Sequence, residues 1–204
     1  GIQWPTKEDG TVSFKLEDLA RANGLAHEQA HDALSDVRAT IALARLIKTR
    51  QPKLFEFAFG LRKKDKVLHE MGLPAQQIDA RPFLHISGMI PPQRGCIAVM
   101  WPLAQHPTNK NEMICWDLNA DPSELASLDA ESLRLRMFTK TTELPEGVTR
   151  LPIKGIHINK SPMVVRNLKT LTPEMAQRWG IDMQACIDNA VKARTLPDMS
   201  VLWK

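Results

Sequence analysis

Apolar residues in the first 72 positions recur at spacings of three and four, which is typical of helices buried along one face. The pattern predicts a first helix that Ser13 caps and Asn23-Gly24 ends. It predicts a second helix over 34–49 and a third over 53–72, which Gly72 and Pro74 end. Phe14, Leu16, Leu19 and Ala20 are the expected buried face of the first helix. Val37, Ile41 and Ala44 form an apolar face of the second helix, which is expected to pack on something larger.

From about residue 81 the apolar residues form short β-like runs separated by turn residues. The runs lie at 83–89, 96–101, 113–118 and 151–158. The acidic segment 121–138 is expected to end in a helix with Leu133, Met137 and Phe138 inward. Thr172-Pro173 predicts a helix start, followed by two short helices at 173–179 and 182–194. Four strands with a few helices predict a small barrel-like α+β unit.

Residues 1–51 show helices but no strands, and a segment of this size is too small for a core of its own. They are therefore interpreted as the end of a larger domain. The 204 residues suffice for one domain, or for one domain and part of another. No apolar run is long enough to cross a membrane, and the first residues lack the pattern of a secretory signal.

Cysteine usage and charge narrow the functional classes. Cys96, Cys115 and Cys186 are far apart, which excludes a Cys-x-x-Cys zinc pattern and a disulfide framework and indicates reduced thiols in the cytoplasm. The net charge is +4, yet residues 1–50 hold seven basic and seven acidic residues. The excess positive charge belongs to residues 51–204, which favours a surface for a polyanion there.

His31 and Asp36 stand five residues apart, and Asp36 opens the apolar helical run of the second helix. An aspartate so placed can bind Mg²⁺ through its hard oxygen atoms, and a nearby histidine can orient or deprotonate water. The alternative is structural, since aspartate at a helix start is stabilised by the helix dipole. His85, His106 and His157 lack ligands at suitable spacing and are expected to be core or loop residues.

The segment AHDALSDVRAT (30–40) resembles the third exonuclease motif of the DEDD-type 3′→5′ exonucleases of the histidine subgroup. The segments TRQPKLF (49–55) and HINKSP (157–162) are similar to bacterial exodeoxyribonuclease I in particular. The resemblance extends from about residue 1 to about residue 194.

The resemblance implies that the chain consists of three segments. Residues 1–51 correspond to the end of a ribonuclease-H-like exonuclease domain and 52–197 to an SH3-like domain. Residues 198–204 correspond to the start of a linker to a helical domain outside this chain. The implied fold class is therefore α+β, an SH3-like small β-barrel with added helices, preceded by two or three helices of the truncated nuclease domain.

The implied activity is the Mg²⁺-dependent release of 5′-mononucleotides from the 3′ end of single-stranded DNA, in DNA repair and recombination. Members use two metal ions. His31 matches the catalytic histidine and Asp36 a metal ligand. The family's Asp-x-Glu pair and its remaining aspartate have no counterpart here on an apolar strand. The chain by itself is therefore expected to be inactive.

Residues that contact DNA can also be carried over from the family. Lys15 stands where the family has an arginine, which keeps the charge but loses the bidentate geometry. The other positions are Gln29, Lys64, Asn111, Lys154 and Asn159. The alternative for Lys64 is strong, because a run of Arg and Lys on an amphipathic helix is often only its solvent-exposed face. Lys154 lies in the more family-specific stretch.

The family also binds the acidic, Phe-ending tail of single-stranded-DNA-binding protein, for which a pocket needs cations and an apolar cavity. Arg81 and Arg194 match basic positions of that pocket. A further family arginine is replaced by Thr172, so that Arg166 or Lys169 would have to supply its charge.

Two alternatives stay open. The chain could be a non-catalytic module that binds DNA and the acidic tail, or a different histidine-type DEDD nuclease acting on RNA or in proofreading. The downstream barrel and the HINKSP stretch disfavour the second.

Overall fold

The computed structural model describes residues 1–25, 33–73 and 80–200. The chain divides into two compact units, Gly1–Gly60 and Leu61–Lys204. The predicted limits 1–51, 52–197 and 198–204 remain a prediction. None of the described helices combines the length and apolar character that a membrane crossing requires.

The first unit is helical. Its elements are α1 (Leu16–Ala22), α2 (Ala33–Arg50) and α3 (Pro52–Gly60). Helix α1 packs on α2 through buried Leu19 and Ala20. Gly24 has a positive φ of 65°, in agreement with the predicted helix end at Asn23-Gly24.

Two details of α1 differ from prediction. Lys15, not Ser13, occupies the N-cap position, because the Ser13 hydroxyl donates a hydrogen bond to the side chain of Asp18. Phe14 precedes the helix and is 45% exposed, with its ring edge-on to Trp4 at 5.9 Å between centroids. Its position before the first helical residue places it outside the buried face.

Helix α2 carries an exposed apolar face within the described part of this unit. Leu34, Val37 and Ile41 are exposed, whereas Ala39 is the helix's buried residue. The exposure of Val37 and Ile41 agrees with an apolar face that has no sheet to pack on within this unit, and its packing on a larger domain remains a prediction. Exposed apolar side chains of this kind are typical of a face that another element covers.

The single helix predicted over 53–72 is two helices, α3 and α4 (Lys64–Met71). Gly60 weakens the helix at the break, and Lys63 has extended backbone angles of −89° and 123°. Periodicity did not reveal the break, because residues on both sides keep helical spacing. Gly72 ends α4 in the left-handed conformation, as predicted.

The second unit contains a curled five-stranded antiparallel half-barrel in the order β4-β3-β2-β1-β5. Three further helices accompany it. The strands are β1 (Phe83–Ile86), β2 (Ile97–Gln105), β3 (Glu112–Asp117), β4 (Ile153–His157) and β5 (Met163–Val165), and the helices are α5 (Ala130–Phe138), α6 (Pro173–Arg178) and α7 (Met183–Arg194). The α+β prediction is confirmed. Strand β5 was not predicted, because three residues are too few to show alternation.

Trp101 and Trp116 pair across β2 and β3 and are fully buried on one face of the sheet. This face forms a cluster with residues of α5, α6 and α7, including Leu133, Ala176 and Ala190. Phe138, expected to be buried, is 62% exposed because it is the last residue of α5 and the chain turns away at Thr139.

Strand alternation places Phe83, His85, Met100 and Cys115 on the opposite face. Helix α4, which contacts β5, supplies buried Val67 and Met71 to this side of the unit. The three cysteines are free and buried, as expected for reduced thiols, and burial raises the pKa of Cys186 to about 11.

Glu70 connects α4 to the chain just after β5. Its carboxylate is 8% exposed, accepts a hydrogen bond from Lys66 Nζ at 2.7 Å and accepts another from the Arg166 backbone N–H at 2.9 Å. Burial alone would raise the pKa of Glu70, but these two hydrogen bonds, the charge of Lys66 and the ring of His69 together outweigh it, and the pKa is lowered. The ionised form is therefore stabilised by folding.

This linkage predicts a pH dependence. Because the folded-state pKa of Glu70 is lowered, its stabilisation is present above the ordinary value of 4.5 and is lost as pH falls through the lowered pKa. Glu70→Gln is expected to reduce the free energy of unfolding by about 1–3 kcal/mol at neutral pH and by less in acid. Urea unfolding from neutral pH to below pH 4.5 measures this free energy, and Glu146→Gln, at an exposed position, is the control. A variant that matches wild type at every pH would contradict the prediction.

Candidate nucleic-acid interface

The structure joins two of the residues that the sequence assigns to a DNA surface. Lys64 is the first residue of α4, and Asn111 ends the turn between β2 and β3. Lys64 Nζ donates a hydrogen bond to Asn111 Oδ1 at 2.9 Å, although 47 residues separate them. An ammonium group has three donors, so one bond to Asn111 does not exhaust its capacity.

Asn159 lies next to this pair. The backbone N–H of Ile158 donates to the carbonyl oxygen of Asn111 at 2.8 Å, and exposed Asn159 follows directly in the turn after β4. Lys64, Asn111 and Asn159 therefore cluster at one end of the β3–β4 pair. We call these three residues the amide–lysine cluster.

Lys154 lies farther along β4, opposite Cys115 of β3. Its side chain is partly buried, and burial lowers the pKa of its ammonium group. Partial burial means that Lys154 has already lost some of its hydration, which reduces the cost of contacting an anion. It lies on β4, an edge strand of the sheet, five residues before Asn159.

His85, His106 and His157 each contact other residues of this unit. His85 is buried and its Nδ1 lies 3.0 Å from the carbonyl oxygen of Met163. Burial lowers the pKa of His85 to about 4, with the charge of Lys154 contributing, so the ring is neutral at pH 7. His106 Nδ1 accepts hydrogen bonds from the backbone N–H groups of Thr108 and Asn109. His157 Nε2 lies 4.0 Å from Glu112 Oε2.

The turn contains residues that the sequence analysis did not single out as functional. Asn109 and Glu112 surround Asn111 and hydrogen bond to each other, and Gly155 lies against the Glu112 carboxylate. In the sequence, HPTN (106–109) is one of the turn signals that separate the β-like runs and carries no sign of a function. The contact of Gly155 with Glu112 depends on the register of β3 and β4, so the residues next to either one in the sequence do not indicate it.

The candidate catalytic residues are described only in part. His31 and Gln29 lie outside the described residues. Asp36 is half-buried in the first turn of α2. Among the described residues no group of three or more His, Cys, Asp or Glu side chains could hold a metal ion. The described part of the chain therefore does not form a complete Mg²⁺ site.

Lys15 stands at the N-cap position of α1, and its Nζ lies 3.8 Å from Glu17 Oε1. The side chain is 70% exposed, so this ion pair contributes little to stability. Lys15 is thus accessible on the first unit.

Among the residues assigned to a partner peptide, Lys169 has the most suitable surroundings. It lines a cavity of about 550 Å³ whose other walls are largely apolar, formed in part by Leu168, Leu171, Ile181 and Ile187. Thr172, which replaces a family arginine, instead caps α6 by accepting a hydrogen bond from the backbone N–H of Met175.

The two arginines assigned to the same pocket lie elsewhere. Arg81 precedes β1 and donates to the carbonyl oxygen of Ala80 at 3.0 Å. Arg194 is exposed in the last turn of α7. Neither is among the described residues that line the cavity. Arg166 is exposed, and its backbone N–H is the donor to Glu70.

Comparison with known proteins gives one consistent family. The family model of the exonuclease I SH3-like domain matches residues 62–204. Exodeoxyribonuclease I of Escherichia coli K12 is 45% identical over 199 residues, which cover 98% of this chain and 41% of the relative. The chain thus spans about two fifths of the length of the relatives it matches.

Solved structures of similar proteins belong to the same family. Exonuclease I of E. coli in complex with a dT13 oligonucleotide matches with a TM-score of 0.87 and 43% identity, over 100% of this chain and 43% of that one. An SSB/exonuclease I structure with the inhibitor CFAM matches with a TM-score of 0.80 and 43% identity, over 95% and 39%. The chain therefore belongs to the exonuclease I family, whose SH3-like domain model matches residues 62–204.

Proposed function

We propose that this chain is part of a single-strand-specific 3′→5′ exodeoxyribonuclease, and that its SH3-like unit holds single-stranded DNA. The amide–lysine cluster is the observation that carries the proposal. It unites three positions matched separately to the family's DNA path, in a chain that resembles an exonuclease I bound to dT13. We place the enzyme in the cytoplasm, in DNA repair and recombination.

The proposed surface suits an enzyme that acts on any sequence. Lysine ammonium groups bind phosphate as point charges, and asparagine amides donate to phosphate or sugar oxygens. Such contacts set affinity and salt dependence but do not distinguish bases. Lys64 and Lys154 supply the charge, and Asn111 and Asn159 supply the neutral donors.

The intact enzyme is proposed to require Mg²⁺. Asp36 would be one ligand. The other ligands would be the family's Asp-x-Glu pair and its remaining aspartate, which have no counterpart in this chain, and His31 would act on the attacking water. Carboxylate oxygens are ligands that Mg²⁺ prefers. Asp36 alone cannot form a site for two metal ions, so the chain by itself is proposed to be inactive.

A second candidate function is that of a binding module for the acidic, Phe-ending tail of single-stranded-DNA-binding protein. The apolar cavity beside Lys169 favours it, since a phenyl ring needs an apolar cavity and a terminal carboxylate needs a cation. The similarity to an SSB/exonuclease I structure supports the same partner. We assign Lys169 to the cation role. Arg81 and Arg194 remain candidates only through their match to the family's basic positions, since neither lines the cavity.

DNA binding can be tested on the present chain. Lys64→Ala and Lys154→Ala are each expected to weaken binding of single-stranded oligonucleotides several-fold, to a similar extent for different sequences. Each should reduce the slope of log affinity against log salt by about 0.7, the value for one phosphate contact on a single strand. Fluorescence anisotropy at several salt concentrations measures both quantities.

Lys140→Ala is the matched control, since Lys140 is an exposed lysine of the same unit, 3.3 Å from Glu143. An equal loss in Lys140→Ala would show that net charge alone is responsible. Tighter binding of RNA than of DNA would favour an RNA-directed nuclease instead.

The catalytic proposal has its own test. The 204-residue chain in Mg²⁺ is expected to release no 5′-mononucleotides from a single-stranded oligonucleotide, because it matches only one of the family's metal-binding carboxylates. Product analysis by chromatography detects the reaction. Cleavage that His31→Ala abolishes would show that these residues form an active site after all.

The peptide proposal predicts that an acidic peptide ending in Phe binds the chain and that Lys169→Ala weakens binding about three- to tenfold. Arg166→Ala, the alternative cation, is expected to have a smaller effect because Arg166 does not line the cavity. A peptide without its terminal Phe serves as the control in fluorescence anisotropy. Equal binding of both peptides would exclude a specific pocket.

A further inference from the structure

The turn that presents Asn111 is held by a continuous series of hydrogen bonds. Asn109 Oδ1 accepts a hydrogen bond from the Asn111 backbone N–H at 3.1 Å. Asn109 Nδ2 donates to Glu112 Oε2 at 3.2 Å, and the Glu112 backbone N–H donates to the Asn109 carbonyl oxygen at 2.9 Å. Asn109 therefore connects the residue that holds Lys64 to the carboxylate of Glu112.

Glu112 is in turn positioned by the edge strand. It pairs with His157 in the β3–β4 register, and the ring of His157 lies 4.0 Å from its carboxylate. Its side chain, 20% exposed, lies against Gly155. A methyl group at residue 155 would overlap the Glu112 carboxylate oxygen, and the carboxyl carbon would be only 3.0 Å away. Glycine at this position allows the carboxylate to lie across β4.

We propose that Asn109 and Glu112 are positioning residues of the DNA surface, which set the Asn111 amide that holds the Lys64 ammonium group. The inference rests on the proposed function. Lysine has four rotatable bonds, and holding its ammonium group in one place costs conformational entropy. The Asn111 amide, held by the hydrogen-bonded turn, fixes the Lys64 ammonium group in the free protein. DNA binding then requires a smaller loss of conformational entropy, which is the effect called preorganisation.

Glu112 has a second consequence because of its charge. Glu112 and Lys64 line the same cavity of about 430 Å³, together with Lys110 and Asp198, so a carboxylate lies on the surface that is proposed to bind phosphate. The carboxylate repels phosphate while it positions the turn. The two effects of Glu112 on DNA affinity therefore have opposite signs, and two substitutions can separate them.

Glu112→Gln keeps an oxygen that can accept the hydrogen bond from Asn109 but removes the charge. It is expected to tighten binding of single-stranded DNA about twofold. Glu112→Ala removes both and is expected to weaken binding. Glu146→Gln, at an exposed position, makes the same change of net charge and is the control. Equal weakening by both Glu112 substitutions would overturn the inference.

A double-mutant cycle tests whether Asn109 acts through Lys64. Asn109→Ala is expected to weaken DNA binding about three- to tenfold in the wild-type chain and to have a clearly smaller effect in a Lys64→Ala background, where only the direct contact of Asn111 with DNA remains to be lost. A purely structural role would lower affinity to the same extent in both backgrounds. Full additivity would therefore contradict the proposal.

A readout without DNA separates this inference from the proposed function. The NMR signals of the Asn111 side-chain amide report its bond to Lys64. They are expected to shift in Asn109→Ala and in Gly155→Ala, which displaces the Glu112 carboxylate, but not in Glu146→Gln. If the wild-type chain binds no DNA, the proposed function fails. If the Asn111 signals do not move, the positioning inference fails by itself.

Discussion

Burial of both faces of a short curled sheet is the constraint on which the second unit depends. Because successive side chains of a strand point to opposite faces, one register determines both packed layers. The pairing of Trp101 with Trp116 supports the layer of α5, α6 and α7, and the same register places Met100 and Cys115 on the other face. A shift by one residue would exchange the two layers. The strand ends, and the turns that carry the candidate site, are thereby held in place.

Helix α4 is positioned by that packing and by one buried carboxylate. Val67 and Met71 supply the apolar contact, while Glu70 receives a backbone hydrogen bond from Arg166 beyond β5. This bond compensates the carboxylate for its loss of water, so that its burial does not destabilise the unit. The consequence for function lies at the opposite end of the helix. With the C-terminal half of α4 held near β5, Lys64 at its start reaches the turn between β2 and β3.

The proposed DNA surface combines moderate attraction with a rigid arrangement. Two lysines and two asparagines offer contacts that any sequence can satisfy, and the carboxylate of Glu112 limits their strength. The apolar cavity beside Lys169 is a chemically different surface, suited to one aromatic ring and one carboxylate. The same small unit can therefore carry two binding functions on separate surfaces.

The sequence by itself determined the features that depend on local chemistry. The helix ends at Gly24 and Gly72, the helix start at Thr172, four of the five strands and the family motifs were all read from neighbouring residues. Tertiary structure decided the rest. Apolar spacing continues through the break after Gly60 and past the helix ends at Phe14 and Phe138, and the strand Met163–Val165 is too short to show alternation, so the spacing did not reveal them. The bond between Lys64 and Asn111 and the contact of Glu112 with Gly155 join residues distant in the chain. Such contacts follow from strand register and helix placement, which are set by burial of the whole core and not by any single segment.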